Sequence, residues 1–213
     1  MMKTGITRRS PVTFNLKPVK SEKRGDWKVA LAYENEGDGP HLVDLSHCPR
    51  WDLQDQEVGK WNPFGFSIPG HPGESVMKNQ VIINRMNGTQ AAIWHLSSEN
   101  VDIPGEPAYT DVTDASVFLA ITGESTFAIA EKLTALDLAE PAKTAPFLIQ
   151  GPLAHVPCQI VVMDSGKNSP GMLLTCSRGY AHNMVEAILS AGHEFGLHPA
   201  GEVTFKKWLG HFK

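Results

Sequence analysis

The segment YTDVTDASVFLAITGESTFAIAEKLTALDL, residues 109–138, decides the fold class. Its middle part, VFLAITG (117–123), is a short apolar run closed by a glycine, which is typical of a buried strand. The residues that follow change to helical spacing, with three apolar side chains on one face: Ile129, Leu133 and Leu136. Ser125 or Thr126 can cap the first turn. The segment therefore predicts a strand followed by a helix over 124–138.

Downstream of this segment, short apolar runs alternate with turns. Three of these runs predict strands: PFLIQ (146–150), PCQIVVMD (157–164) and GMLLTC (171–176). A second helix is predicted over about 179–195, and Gly196 is placed to end it. Strands and helices do not alternate, and this order favours an α+β fold with mixed or antiparallel sheets and a few helices over a parallel α/β sheet.

Upstream of residue 109 the pattern is mainly that of strands. WKVALAY (27–33) alternates apolar and polar positions, and NQVIINRM and QAAIWHL flank the turn NGT as a hairpin would. The stretch 59–75 is rich in Pro and Gly and predicts an irregular loop. We divide the chain into three predicted parts, with the boundary in the polar connector 97–108. These are an extended N-terminal arm (1–25), a β-rich subdomain (26–107) and an α+β subdomain with a C-terminal tail (108–213).

Two short stretches share one local pattern. Asp44-Leu45-Ser46-His47 and Asp111-Val112-Thr113-Asp114 each place an aspartate, an apolar residue and a hydroxyl residue at an extended segment. Short oxygen-bearing side chains bond nearby backbone amides where a chain turns. We therefore predict structural roles for Asp44 and Asp111, and the pattern alone leaves open whether it marks a true repeat.

Length, composition and charge narrow the class of protein. The chain has 213 residues, 41% of them apolar and 20% charged, which allows a packed core. The net charge of −4 argues against a nucleic-acid partner. The three cysteines are widely spaced and indicate a reducing compartment. We expect neither a signal peptide nor a membrane-spanning run, and hence a cytoplasmic protein.

No residue pattern announces a catalytic or metal centre. His47 and Cys48 are adjacent, so their side chains would diverge on a strand, and His41 or His71 could join them only through loop placement. Cys48 could pair with a distant histidine, but no feature nearby indicates a lowered thiol pKa. The other two cysteines, Cys158 and Cys176, are predicted to be core residues. We therefore predict no catalytic residue and no metal site in this chain.

Cofactor fingerprints are also missing from the sequence. Neither the glycine-rich phosphate loop G-x-x-x-x-G-K-[ST] nor the dinucleotide pattern G-x-G-x-x-G occurs. We therefore expect the chain alone to hold no flavin, haem or zinc, and its cofactor-binding residues remain unknown.

The segment 109–138 resembles the family of the glycine-cleavage T-protein. The matching positions are Asp111-Val112-Thr113, then Gly123, then Leu133-Thr134-Ala135-Leu136-Asp137-Leu138. A closer resemblance is to the gamma subunits of heterotetrameric sarcosine oxidase and of N-methylglutamate dehydrogenase, short chains with one such domain. The later runs GPLAHVPCQIVVMD and MLLTCSRGYAHNMVEAIL are similar to their strand pair and closing helix. The resemblance extends over residues 108–196.

The resemblance implies a non-catalytic subunit in one-carbon metabolism. Gamma subunits accompany larger flavoprotein subunits, which oxidatively demethylate an N-methyl amine, and a small zinc-type subunit. Flavins and tetrahydrofolate are then carried by other chains of the heterotetramer. The alternative is a stand-alone folate-dependent aminomethyltransferase or demethylase. That enzyme is much longer, and its catalytic aspartate lies in a segment with no match here.

Aromatic residues with polar neighbours suggest where a partner could dock, because Trp and Arg concentrate at interfaces. Arg50, Trp51 and Trp61 lie near the Pro/Gly-rich loop, and the sequence leaves open whether they belong to an interface or to the core. The other candidates lie towards the two ends of the chain: Phe14, Trp208 and Phe212.

Overall fold

A computed structural model describes residues 8–97, 101, 105–164 and 169–212. Within them the chain forms strands and helices with the following bounds. The strands are β1 (Pro18–Arg24), β2 (Trp27–Tyr33), β3 (His41–Asp44), β4 (Arg50–Gln54), β5 (Ser75–Lys78), β6 (Val81–Arg85), β7 (Gln90–His95), β8 (Tyr109–Asp111), β9 (Ser116–Thr122), β10 (Phe147–Leu153), β11 (Val156–Asp164), β12 (Gly171–Ser177) and β13 (His198–Ala200). The helices are α1 (Thr126–Glu131), α2 (Ala181–Gly192) and α3 (Glu202–Leu209).

The larger sheet has the strand order β10-β11-β12-β9-β3-β13. Neighbouring strands are antiparallel except for β13 and β3, which are parallel. One face of this sheet packs against α1 and α2, whose apolar stripes supply Ile129, Met184 and Ile188 to the core. The other face packs against the smaller sheet through residues such as Phe118 and Trp94. The predicted α+β class with mixed and antiparallel sheets is confirmed.

The smaller sheet has the order β5-β6-β7-β4-β8 and is antiparallel throughout. Its outer face is covered by the Pro/Gly-rich loop instead of by helices. Val58 and Ile68 are buried there against Leu53 and Ile83, and short 3₁₀ turns are the only regular structure that we find in residues 58–74. The loop therefore closes the core on this side.

Strands from each half of the sequence lie in the sheet of the other half. β3, which precedes the predicted boundary at residue 107, pairs with β9 in the larger sheet. β8, which follows the boundary, pairs with β4 in the smaller sheet. The connector 97–108 lies partly outside the described residues. At the predicted boundary the sequence pattern changes from mainly strands to strands and helices. The boundary does not coincide with the division between the two sheets.

The arm is more structured than the sequence indicates. Residues 18–24 form β1, which pairs with β2 in a two-stranded sheet. Phe14 is 7% exposed and packs edge-on against Tyr33, with 5.7 Å between ring centroids. Residues 1–7 lie outside the described part of the chain.

The helices differ in how well the sequence predicts them. α2 and the 3₁₀ turn that follows it end at Gly196, which has a left-handed backbone (φ 69°) as predicted. α1 is much shorter than the predicted 124–138, and just beyond it the Leu133 carbonyl accepts a hydrogen bond from Ala154 N at 2.8 Å. This bond fixes residue 133 to the turn between β10 and β11. None of the helices that the structure describes combines the length and apolar character needed to span a bilayer.

Candidate functional site

The two Asp-x-Ser/Thr stretches form matching turns. Asp44 Oδ1 accepts a hydrogen bond from Ser46 N at 2.9 Å, and Asp111 Oδ1 accepts one from Thr113 N at the same distance. Both amides belong to buried residues. The prediction that Asp44 and Asp111 bond nearby backbone amides is confirmed.

The hydroxyl residues of these turns reach across to the other half of the chain. Ser46 Oγ accepts from Phe118 N at 3.2 Å, and Thr113 Oγ1 accepts from Arg50 N at 3.0 Å. Backbone hydrogen bonds join the same segments: Leu45 N donates to Phe118 O at 2.8 Å, and Val112 N donates to Arg50 O at 3.0 Å. Each turn therefore binds a residue near the start of the strand that follows the other turn. This reciprocal contact is what a duplicated unit related by a local two-fold axis would produce.

We call the region where the two turns bond each other's following strand the crossing. Arg50 lies at its centre, and its side chain is 1% exposed. Its guanidinium donates to three backbone carbonyls, those of Cys48 (2.7 Å), Thr113 (2.7 Å) and Ser116 (3.0 Å). It also lies over the Phe118 ring, 4.9 Å from the centroid. Burial lowers the pKa of Arg50 to about 10, against the opposing effect of nearby negative groups. The guanidinium remains charged at neutral pH and holds the two turns together.

We expect Asp44→Ala and Asp111→Ala each to lower the free energy of unfolding by about 1 kcal/mol, because each leaves a buried amide without its acceptor. For a chain of this length that corresponds to a melting temperature roughly 2–4 °C lower. Thermal unfolding followed by circular dichroism measures the effect. Asp44→Asn and Asp111→Asn keep a side-chain oxygen and serve as controls with a smaller loss. An alanine variant that melts like the parent but loses a specific activity would contradict the structural role.

Next to Arg50, a cleft of about 410 Å³ opens between the two sheets. Both sheets contribute polar side chains to it: Asp52, Gln90, Gln150, Gln159, Thr175 and Ser177. Asp52 accepts from Gln90 Nε2 at 2.8 Å and from Gln54 Nε2 at 2.6 Å. Gln150 Nε2 donates to the Met86 carbonyl at 2.9 Å. These amides and hydroxyls can bind a polar group through hydrogen bonds.

A second cavity, of about 660 Å³, lies between the Pro/Gly-rich loop and residues 142–147. His71, Glu74 and Lys143 contribute to its lining. The bond from Leu148 N to Gly73 O, at 2.8 Å, ties the loop to the edge of the larger sheet beside it. Of these two cavities, the first adjoins Arg50.

A buried ionic cluster joins the first turn to the end of the chain. Glu202, 2% exposed, receives two hydrogen bonds from Arg24, at 2.5 and 2.6 Å, and one from His47 Nε2 at 3.3 Å. Lys206 Nζ lies 3.2 Å from its carboxylate. Cys48 Sγ lies 3.7 Å from the same His47 nitrogen. Because Glu202 and Cys48 share one ring nitrogen, the three side chains do not form a relay through both imidazole nitrogens, as a catalytic triad requires.

This cluster predicts a pH dependence of stability. Burial alone would lower the pKa of His47, but its interactions with Cys48 and its ion pair with Glu202 outweigh burial and raise it to about 10. A histidine with a raised pKa in the folded state contributes stability that is complete below about pH 6.5 and is lost as the pH rises towards 10. We therefore expect the free energy of unfolding to fall over this range, and His47→Gln to flatten the fall. A variant with the same pH profile as the parent would contradict this assignment.

The described residues contain no group of three or more His, Cys, Asp or Glu side chains placed to hold a metal ion. His41 is instead bonded to the Glu36 carbonyl through Nε2, at 3.0 Å. The predictions that the chain carries no catalytic residue, metal or cofactor stay predictions.

The six interface candidates do not form one surface. Arg50 and Trp51 are each 1% exposed and lie in the interior. The other four lie in separate places. Phe14 packs against the helix-bearing face of the larger sheet, Trp208 lies on α3, and half-buried Phe212 follows α3. Half-buried Trp61, in the Pro/Gly-rich loop, packs against Tyr109 of β8. The apolar stripe of the tail thus folds back onto its own chain. That any of these residues contacts a partner stays a prediction.

The sequence does not predict the residues that complete these sites. Phe118 and Glu202 have no local pattern that marks them, because their roles depend on partners 72 and 155 residues away along the chain. The repeated Asp-x-Ser/Thr pattern was the available signal for the crossing. It indicated two turns, and it gave no information that each turn bonds to the strand following the other one.

Comparison with known proteins identifies the fold. No protein-family model and no curated sequence matches the chain. A chain of the heterotetrameric sarcosine oxidase from Corynebacterium sp. U-96 superposes with a TM-score of 0.56 and 15% identity, covering 72% of this chain and 84% of that one. The aminomethyltransferase T of the glycine cleavage system from Bartonella henselae gives 0.52 and 12%, covering 86% of this chain and 56% of that one. The chain therefore has the T-protein-like fold that both of these structures contain.

Proposed function

We propose that this chain is a gamma-type, non-catalytic subunit of a multi-subunit flavin-dependent oxidoreductase that demethylates an N-methyl amine. The observation that carries the proposal is the extent of the two structural matches. The chain covers 84% of the matched sarcosine oxidase chain but 56% of the aminomethyltransferase. This chain therefore covers most of one subunit of the sarcosine oxidase and about half of the aminomethyltransferase. The same comparison disfavours a stand-alone folate-dependent transferase.

In this proposal, the cofactors belong to other chains. Larger flavoprotein subunits oxidise the amine, and tetrahydrofolate accepts the one-carbon unit elsewhere in the assembly. A small zinc-type subunit completes the heterotetramer, which acts in the cytoplasm. The role of the present chain is to supply a rigid surface that holds these subunits in place.

The outer edge of β1 is the best docking surface for a larger subunit. β1 pairs only with β2 among the described residues, so its other edge can accept a further strand. Leu16, just before β1, and Val19, within it, are 51% and 58% exposed and could be buried by a partner. The lysines of this segment (Lys17, Lys20 and Lys23) would favour an acidic partner surface.

The test is co-purification of the tagged chain with flavoprotein subunits of the sarcosine oxidase type. We expect stoichiometric recovery with the parent chain, detected by the flavin absorbance. The variant Leu16→Asp with Val19→Asp should lose the partners while its circular dichroism is unchanged, because neither side chain is in the core. Tyr180→Asp, at a side chain 47% exposed on another part of the molecule, is the matched control.

The results distinguish an error in the proposed subunit role from an error in the proposed docking surface. If the parent chain purifies alone and binds tetrahydrofolate in calorimetry, the proposed subunit role is wrong. If the parent and the Leu16/Val19 variant both recover the partners, the role stands and docking occurs through another face.

A further inference from the structure

Cys158 and Cys176 lie directly opposite each other on the antiparallel strands β11 and β12. Directly opposed residues in such a pair have Cα atoms about 4.5 or 5.5 Å apart, within the range of about 4.4–6.8 Å that a disulfide requires. Their side chains necessarily point to the same face of the sheet. Both cysteines are free thiols in the structure. A disulfide between them would therefore need little backbone movement.

The two opposed thiols influence each other's pKa. A hydrogen bond from the Cys176 thiol lowers the pKa of Cys158, helped by the Leu153 amide and opposed by burial. The same bond, together with burial, raises the pKa of Cys176. While Cys158 is protonated, its thiol can donate instead to the Val156 carbonyl, 3.2 Å away. We assign Cys158 as the nucleophile, because the directly opposed Cys176 thiol can donate a hydrogen bond to its thiolate, the reactive form.

The pair is also more accessible than the third cysteine. Cys158 and Cys176 are 6% and 5% exposed, and their side chains lie on the helix-bearing face of the larger sheet. Cys48 is 1% exposed and its sulfur contacts His47 and the Leu96 carbonyl inside the molecule.

We propose that Cys158 and Cys176 form a peroxide-reactive dithiol that closes to a cross-strand disulfide on the helix-bearing face of the larger sheet. The Cys158 thiolate attacks one oxygen of hydrogen peroxide; the O–O bond breaks, hydroxide leaves, and Cys158 becomes a sulfenic acid. The Cys176 sulfur then attacks the Cys158 sulfur, an S–S bond forms, and a second hydroxide leaves and takes up the thiol proton. The two sulfurs lose two electrons and two hydrogens in total, and peroxide is reduced to two molecules of water. The inference does not depend on the proposed function.

The direct test uses the unmodified folded chain. After hydrogen peroxide treatment, the count of free thiols should fall from three to one, and the intact mass should fall by two hydrogen atoms. Peptide mapping should identify the Cys158–Cys176 link, and dithiothreitol should restore all thiols. Oxidation of either cysteine to a sulfinic acid without the link, or a link that joins two chains, would overturn the proposal.

Three serine variants assign the roles. Cys176→Ser should stop at the Cys158 sulfenic acid, which dimedone traps. Cys158→Ser should slow peroxide consumption about tenfold or more, because burial still raises the pKa of the remaining Cys176 thiol and no second thiol of the pair is left. Cys48→Ser is the matched control and should still form the link at the rate of the parent. If Cys48→Ser alone abolishes the reaction, the reactive site is Cys48 and the proposal is wrong.

Discussion

Replacing Arg50 with methionine should lower the free energy of unfolding by about 3–5 kcal/mol. Methionine has a similar length and preserves much of the packing over Phe118. It cannot donate to the carbonyls of Cys48, Thr113 and Ser116, which would lose their donor in the interior. An unsatisfied buried polar group costs its full desolvation energy, so the loss exceeds that of an average hydrogen bond. Urea denaturation monitored by tryptophan fluorescence measures the change.

Two variants control for size and charge. Arg50→Lys keeps the charge but cannot reach three carbonyls with a planar fork, so we expect an intermediate loss. Arg9→Met makes the same substitution at an exposed site and should change the free energy of unfolding by no more than about 0.5 kcal/mol. Equal stability of Arg50→Met and Arg9→Met would mean that the crossing does not depend on the guanidinium.

Replacing Trp208 with alanine should also destabilise the chain by about 3–5 kcal/mol. The indole is 8% exposed and packs against Phe205 and Phe212, with ring centroids 5.7 and 4.8 Å away. Its Nε1 donates to the Ser169 carbonyl at 3.2 Å. Its ring also occupies the space above Gly171, where an added Cβ would lie 2.3 Å from Trp208 Cζ2. The variant leaves a large cavity at the end of the core.

The Trp208 variant separates a core role from a docking role. Lys207→Ala, at the exposed neighbouring position on α3, should leave stability nearly unchanged. Gly171→Ala should destabilise the chain as Trp208→Ala does, because its methyl group displaces the same ring. If Trp208→Ala unfolds like the parent and only loses a partner subunit, the tail serves docking, as the sequence first suggested.

The sequence predicted those features that depend on neighbouring residues. Alternation in WKVALAY, the NGT turn and the apolar spacing of 179–195 each give a strand, a hairpin or a helix where the structure has one. The turns at Asp44 and Asp111 were predicted for the same reason, since each bond spans two residues. Local backbone chemistry is sufficient to specify such features.

Features that depend on distant partners could not be predicted from one sequence. The apolar run of β3 is compatible with either sheet, and pairing with β9 and β13 decides which one it joins. The stripe of Trp208 and Phe212 has the same pattern whether it covers its own core or a partner. Cys158 and Cys176 look like separate core residues until the strand register places them opposite each other. In each case, information from the rest of the chain is needed.

The ionic cluster around Glu202 has a consequence for synthesis on the ribosome. Arg24 and Glu202 are 178 residues apart, and Glu36, which bonds Gly201 N at 2.9 Å, is 165 residues from its partner. At roughly 5–20 residues per second, the nascent N-terminal hairpin waits on the order of 10–40 s for α3. Throughout that interval Leu31, against whose backbone Gly201 packs in the finished fold, has no cover from the C-terminal end. The emerging chain therefore displays an apolar strand to chaperones, and a stop codon at or shortly before position 201 leaves that strand permanently unprotected.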